Sequence, residues 1–163
     1  MRAQRGITLL EMLIVLLVVS LLVGITYPAI GAGLDSLRLR SAADGLAALL
    51  VQAMTRVESR QSPVELLVDR AAGKVAVSDP RGGFHREHQL EAGLSIREIL
   101  PPVSAAGEET ARSVLLVPGE PFPAVGILIG NTRGQRRLVR IDPLTGMAVV
   151  ETPPERVSEE GTR

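Results

Sequence analysis

The sequence predicts an α+β fold: one long N-terminal helix, its first half apolar enough to span a membrane, packed on an antiparallel β-sheet domain. Three observations predict it. From Ile7 to Tyr27 the chain is apolar for about 21 residues, enough as a helix to cross the roughly 30 Å hydrocarbon core of a bilayer. From Leu39 to Val57 apolar residues recur at three- and four-residue steps. From Pro63 onward the period changes to two.

Composition narrows the functions. The 163 residues allow one domain plus an anchor. The formal net charge is zero, so there is no bulk attraction to nucleic acid or anionic lipid. Cysteine is absent, which removes thiol catalysis, Cys-based zinc sites and iron–sulfur clusters. The only aromatic residues are Tyr27, Phe84 and Phe122, so the core must be aliphatic.

One charge, Glu11, breaks the apolar run near its start. An ionised side chain in a spanning segment costs about 2–3 kcal/mol at the centre and less near an end. A sequence that keeps one should supply a partner. Gly6 lies between a basic hexapeptide, with Arg2 and Arg5, and the apolar run. A cut after Gly6 would leave Ile7 with a new positive amine, one helical turn from Glu11. Within one chain that pair can form. Between two chains side by side with an axial offset, it neutralises both charges in a low-dielectric layer.

Gly6-Ile7-Thr8-Leu9-Leu10-Glu11-Met12, followed by an unbroken apolar helix, resembles the class III signal of type IV pilins and of type II secretion pseudopilins. The resemblance implies that a membrane prepilin peptidase cuts between Gly6 and Ile7 and that the Ile7 amine is N-methylated. It implies that Glu11 guides assembly into a fibre. Ile7 stands where that family most often has Phe or Met, which favours a minor subunit. Two plainer readings compete. An ordinary secretory signal could be cut near Ala29-Ile30-Gly31, but the run is too long for one and carries Glu11 inside it. A plain signal anchor is the other. Arg2 and Arg5 before the span, against Asp35, Arg38 and Arg40 after it, lean toward an N-terminus in the cytoplasm.

The rest divides in order. Residues 1–6 are the leader and 7–30 the transmembrane and assembly helix. Pro28 lacks a donor and crowds the preceding turn, so a kink or an unwound segment is expected around Gly24 to Pro28. Residues 31–62 form an amphipathic helix whose stripe is Leu39, Ala43, Leu46, Leu50, Met54 and Val57. Gly45 costs about 1 kcal/mol of helix propensity and suits a closely packed strand. Pro63 forces the helix to end. Residues 63–151 are β-rich. Val64–Val68 and Lys74–Val77 make a hairpin, Gln89–Ile96 a weaker strand, and Val114–Val117 a short buried strand. Pro101–Thr110 is polar and expected to be mobile. Three prolines keep Pro118–Pro123 out of any central strand. Val125–Ile129 and Arg137–Ile141 flank a turn, and Met147–Val150 closes the sheet. Residues 152–163 are expected to be a disordered tail.

One helix followed only by strands is a pilin-like architecture. The closing run from Leu138 to Met147, with its Asp-Pro-Leu-Thr-Gly turn, resembles the H-type minor pseudopilins of type II secretion and the related FimT-type minor pilins. The first resemblance implies a subunit of a periplasmic pseudopilus, anchored in the inner membrane before extraction. Its partners would be the prepilin peptidase, other major and minor pseudopilins and the inner-membrane assembly platform. The second implies pilus biogenesis, adhesion or DNA uptake.

Other chemistry is sparse, and neither an enzyme nor a cofactor is expected. His85 and His88 lie near Glu87 and Glu91, but solvated loop histidines are a better reading than a metal site. No nucleophile motif or phosphate loop is present. Arg133, Arg136, Arg137 and Arg140 form the one basic cluster. A solvated hairpin face is favoured over a phosphate-contacting patch, because aromatics for base stacking are lacking nearby, and a protein contact is the remaining reading.

Overall fold

The structure is a computed structural model that describes residues 8–102, 110–143 and 145–153. The element order is α1 (Leu9–Arg60), β1 (Val64–Asp69), β2 (Lys74–Ser78), β3 (His85–Gln89), β4 (Leu94–Leu100), β5 (Ala111–Leu116), β6 (Gly126–Asn131), β7 (Arg136–Ile141) and β8 (Ala148–Glu151). The chain divides into two compact units, Met1–Leu37 and Arg38–Arg163.

In the first unit the helix begins at a cap. Thr8 Oγ1 accepts a hydrogen bond from the backbone N of Glu11 at 3.3 Å, and Thr8 O accepts one from the N of Met12 at 3.2 Å. The backbone is helical through Pro28, so the unwound form of the expected break is not present. Proline removes one hydrogen bond from the ladder, and the residue four positions before it in the sequence is Gly24. Among the described residues, no helix is long and apolar enough to cross a membrane. The apolar run of the sequence starts at Ile7, outside them.

In the second unit the helix buries the predicted stripe completely. Leu39, Ala43, Leu46, Leu50, Met54 and Val57 are all core residues, joined by Ala42, Leu49 and Ala53. The helix stops as Pro63 requires. Gln61 takes a positive φ of 47°, and its Nε2 donates back to Glu58 O at 2.8 Å.

The strands form two four-stranded antiparallel sheets, β3-β2-β1-β5 and β4-β6-β7-β8, where one was expected. The inward residues of both, among them Leu66, Val77, Ile127 and Ile141, join the helical stripe in one core. The β1–β2 hairpin turns at Gly73, φ 63°, with Asp69 Oδ1 accepting from Ala72 N at 2.8 Å.

Several strand expectations need correction. β3 is a strand of polar residues at a sheet edge, and Gln89–Ile96 is not one strand but the end of β3, a turn and the start of β4. An edge strand needs little apolar surface, and charged residues there discourage pairing with other chains. β5 is also an edge strand, with Leu116 buried but Leu115 exposed, rather than a buried one. Pro118–Pro123 is irregular, as its prolines require. Most of the stretch expected to be mobile, residues 103–109, and most of the expected disordered tail, 154–163, lie outside the described residues. The closing turn is held by Gly146 N to Asp142 O at 2.8 Å and Asp142 N to Met147 O at 2.9 Å. Gly146 has φ 67°, and a Cβ there would meet the Phe122 ring at 2.8 Å, so only glycine fits.

Candidate functional site

Two properties mark the start of α1. Its large apolar side chains, from Leu9 to Val23, are all exposed, by between 46% and 84%. A surface of this size calls for a covering phase or partner. Leu13, Leu16, Leu17, Ser20 and Leu21, spaced at one helical face, line an open apolar crease with Ser20 as its small residue.

Within this surface Glu11 is exposed, and among the described residues its carboxylate has no partner. Its backbone N is held by Thr8, so Glu11 occupies the third helical position of a Ser/Thr-x-x-Glu cap pattern. A carboxylate there also interacts favourably with the helix dipole, by about 0.3–1 kcal/mol. The acid therefore has a local reason to be where it is, and a free charge left over. Gly6 and Ile7, the expected cleavage pair, lie outside the described residues.

Residues 1–27 match the prokaryotic N-terminal methylation motif. The motif thus takes in Gly6, Ile7, Glu11 and the whole apolar run. Over 96 residues the chain is 33% identical to the type II secretion system protein H of Xanthomonas campestris pv. campestris, covering 59% of this chain and 54% of that protein. The chain spans about half the length of the curated relative it matches. No solved structure matches.

Beyond the methylation motif, the predicted candidates separate. The four arginines do not make one face. Arg136 and Arg140 stand opposite Gly130 and Gly126 of β6, while Arg137 follows the alternation of inward Val139. Arg137 Nη1 donates to Thr152 Oγ1 at 2.6 Å, and Arg140 Nη2 to Glu151 Oε1 at 2.7 Å. Arg133 is in the turn, its backbone N bonded to Asn131 Oδ1 at 3.1 Å.

The histidines also separate. His85 Nε2 lies 3.5 Å from Glu87 Oε2 on the exposed side of β3. His88 is not a solvated loop residue; it is half-buried against the helix at Gly45. Among the described residues, no group of three or more His, Asp or Glu could hold a metal ion.

Sequence reasoning missed an anchoring cluster. Arg56 Nη2 lies 3.7 Å from Asp79 Oδ2, and its guanidinium sits 5.1 Å from the centre of the Phe84 ring. Arg56 reads as an off-stripe helix residue, and nothing local in the sequence ties it to the β2–β3 loop.

Proposed function

We propose that this chain is a minor pseudopilin of a type II protein secretion system. It is made as an inner-membrane precursor, single-pass, with its N-terminus cytoplasmic and its β-rich body periplasmic. Prepilin peptidase hydrolyses the Gly6–Ile7 amide, and the Ile7 amine so released is methylated. The processed chain is then extracted and built, with other major and minor pseudopilins and the assembly platform, into a periplasmic pseudopilus that drives exoprotein export. The role is one of assembly rather than catalysis.

The observation that carries this reading is the partnerless Glu11 carboxylate on an exposed apolar helix, inside a matched methylation motif. Cohesion follows from burial of the Ile7–Tyr27 helix against its neighbours. Each large apolar side chain taken fully out of water contributes about 1.5–3 kcal/mol. Register follows from charge: the Ile7 ammonium of one subunit meets Glu11 of the next where an unpaired charge is costly. Pro28 gives the helix a place to bend as subunits are packed. The similarity to a type II secretion system protein H supports secretion over a pilus, and only Arg137 is turned to the other face of β7 from Arg136 and Arg140.

The test is the N-terminus of the native polypeptide purified from membranes. Mass analysis should find methylated Ile7. A chain beginning at Met1, or near Ala32, overturns the proposal.

A further inference from the structure

A second surface is built where β4 breaks its register. The pairing of β4 with β6 shifts between Ile96 and Glu98, leaving Arg97 as the bulged residue. Ile96 and Ile99 both stay in the core, so Arg97 and Glu98 follow one another on the opposite side of the sheet. Arg97 crosses β6 over Gly130, where a Cβ would meet its Nε at 3.1 Å and its Cγ at 3.2 Å. Its Nη2 donates to Asn131 O at 3.1 Å. The turn carrying that carbonyl is fixed in its own right. Asn131 Nδ2 donates to Gln135 Oε1 at 2.8 Å, and Asn131 Oδ1 accepts from Gln135 N at 3.0 Å.

Arg136 stands on the other side of Gly130, on β7. It is half-buried, and its guanidinium has no partner among the described residues. Arg97, Glu98, Leu128, Thr132 and Arg136 line an open groove of about 470 Å³ with an aliphatic floor at Leu128. The volume suits a few residues of another chain.

We propose that this groove binds an acidic peptide segment of a partner protein, a Glu or Asp carboxylate meeting Arg136 and Arg97 while an aliphatic neighbour rests on Leu128. Charge complementarity argues for it. Arg136 offers all its N–H donors, and Arg97 is held in place by one bond with others left over. Nucleic acid fits less well. The groove has no aromatic face on which a base could stack. The uncut chain carries the same groove, so this surface does not depend on leader cleavage.

The experiment uses the full chain in detergent micelles and follows the anisotropy of a fluorescein-labelled peptide of alternating glutamate and leucine. Binding is expected, and it should weaken at least about tenfold with Arg136→Gln and with Arg97→Gln. It should vanish when the peptide's glutamates become glutamines and persist with Arg81→Gln on the β2–β3 loop. The thermal midpoint of Arg136→Gln should match the parent, since no described bond is lost. The proposal is overturned if the acidic peptide does not bind, if Arg136→Gln retains full affinity, or if a labelled six-nucleotide oligothymidylate binds more tightly. It is also overturned if a chain ending at Pro153 binds the peptide more tightly than the full chain, because the occupant is then the chain's own residues 154–163.

Discussion

Gly45 on the helix and His88 on β3 share one space: a Cβ on Gly45 would sit 2.5 Å from Cε1 of the His88 ring. Glycine inside a helix costs about 1 kcal/mol relative to alanine. Here that cost secures a close approach of the edge strand to α1. The contact lies within the second unit, at the margin of its aliphatic core.

Gly45→Ala therefore sets two effects against each other. Helix propensity favours the alanine by about 1 kcal/mol. A contact shorter than any real Cβ contact forces the ring or the strand to move, at about 1–3 kcal/mol. The net expectation in urea unfolding is destabilisation by about 1 kcal/mol. Adding Gly45→Ala to His88→Ala, where the ring is gone, should instead stabilise. A stabilising effect in the parent background would show that the ring swings aside without cost.

What could be read beforehand follows from the range of the interactions. The stripe from Leu39 to Val57 was legible because helix periodicity is local and every position on it is buried. Glu11 was legible as a lone acid in an apolar run. β3 was not, because His85–Gln89 has no apolar alternation and is held by pairing with β2. The division into two sheets depends on β1 pairing with β5 and β4 with β6, which no local period encodes. The arginine cluster looked continuous in sequence, yet a strand's period of two sends Arg136 and Arg137 to opposite faces. The groove at Arg97 needed a bulge that the sequence does not announce.

Arg56, Asp79 and Phe84 pin the β2–β3 loop to the last turns of the helix. Asp79 Oδ1 also accepts from Arg81 N at 2.9 Å, so one carboxylate orders the loop and meets the arginine. Arg56→Ala should destabilise the body by about 1–2 kcal/mol, through the lost ring contact and a partly buried acid left without its cation. Arg56→Lys should recover only part, because an ammonium lacks the flat face that lies on Phe84. A double-mutant cycle with Asp79→Ala should give a coupling of at least about 0.5 kcal/mol. Additive effects would show that the pair does not act as a unit.

Two carboxylates should shape the acid limb of stability. The Arg140 hydrogen bond holds Glu151 below its ordinary value of 4.5. Hydrogen bonds from Lys74 and then His85 do the same for Glu87. A depressed carboxylate contributes stability that is fully present above its unfolded value and is lost as pH falls through the lower native value. The contribution should fade below about pH 4.5 and be small, since both pairs face solvent. Unfolding midpoints measured from neutral pH downward should fall less steeply for Glu87→Gln and Glu151→Gln. In about 1 M salt the difference should shrink. A steeper acid limb in either variant would contradict the sign.

Glu11 has two roles to separate, a local one at the start of α1 and the proposed one between subunits. Glutamine keeps the shape of the cap pattern, and Glu and Gln serve the third position alike. It removes only the charge. If capping were the whole reason for the acid, Glu11→Gln would assemble normally and Glu11→Ala would suffer by a fraction of a kcal/mol. If the Ile7 ammonium needs a counter-charge, both variants should be cut after Gly6 yet fail to enter the fibre. Secretion should then drop at least about tenfold, as expected for an ammonium left unpaired in an apolar layer. Gly6→Val, by contrast, should accumulate as uncut precursor. Mass analysis of the mature start, beside an assay of export, distinguishes the three. Normal export by Glu11→Gln would remove charge pairing from the mechanism and leave the acid as a helix cap.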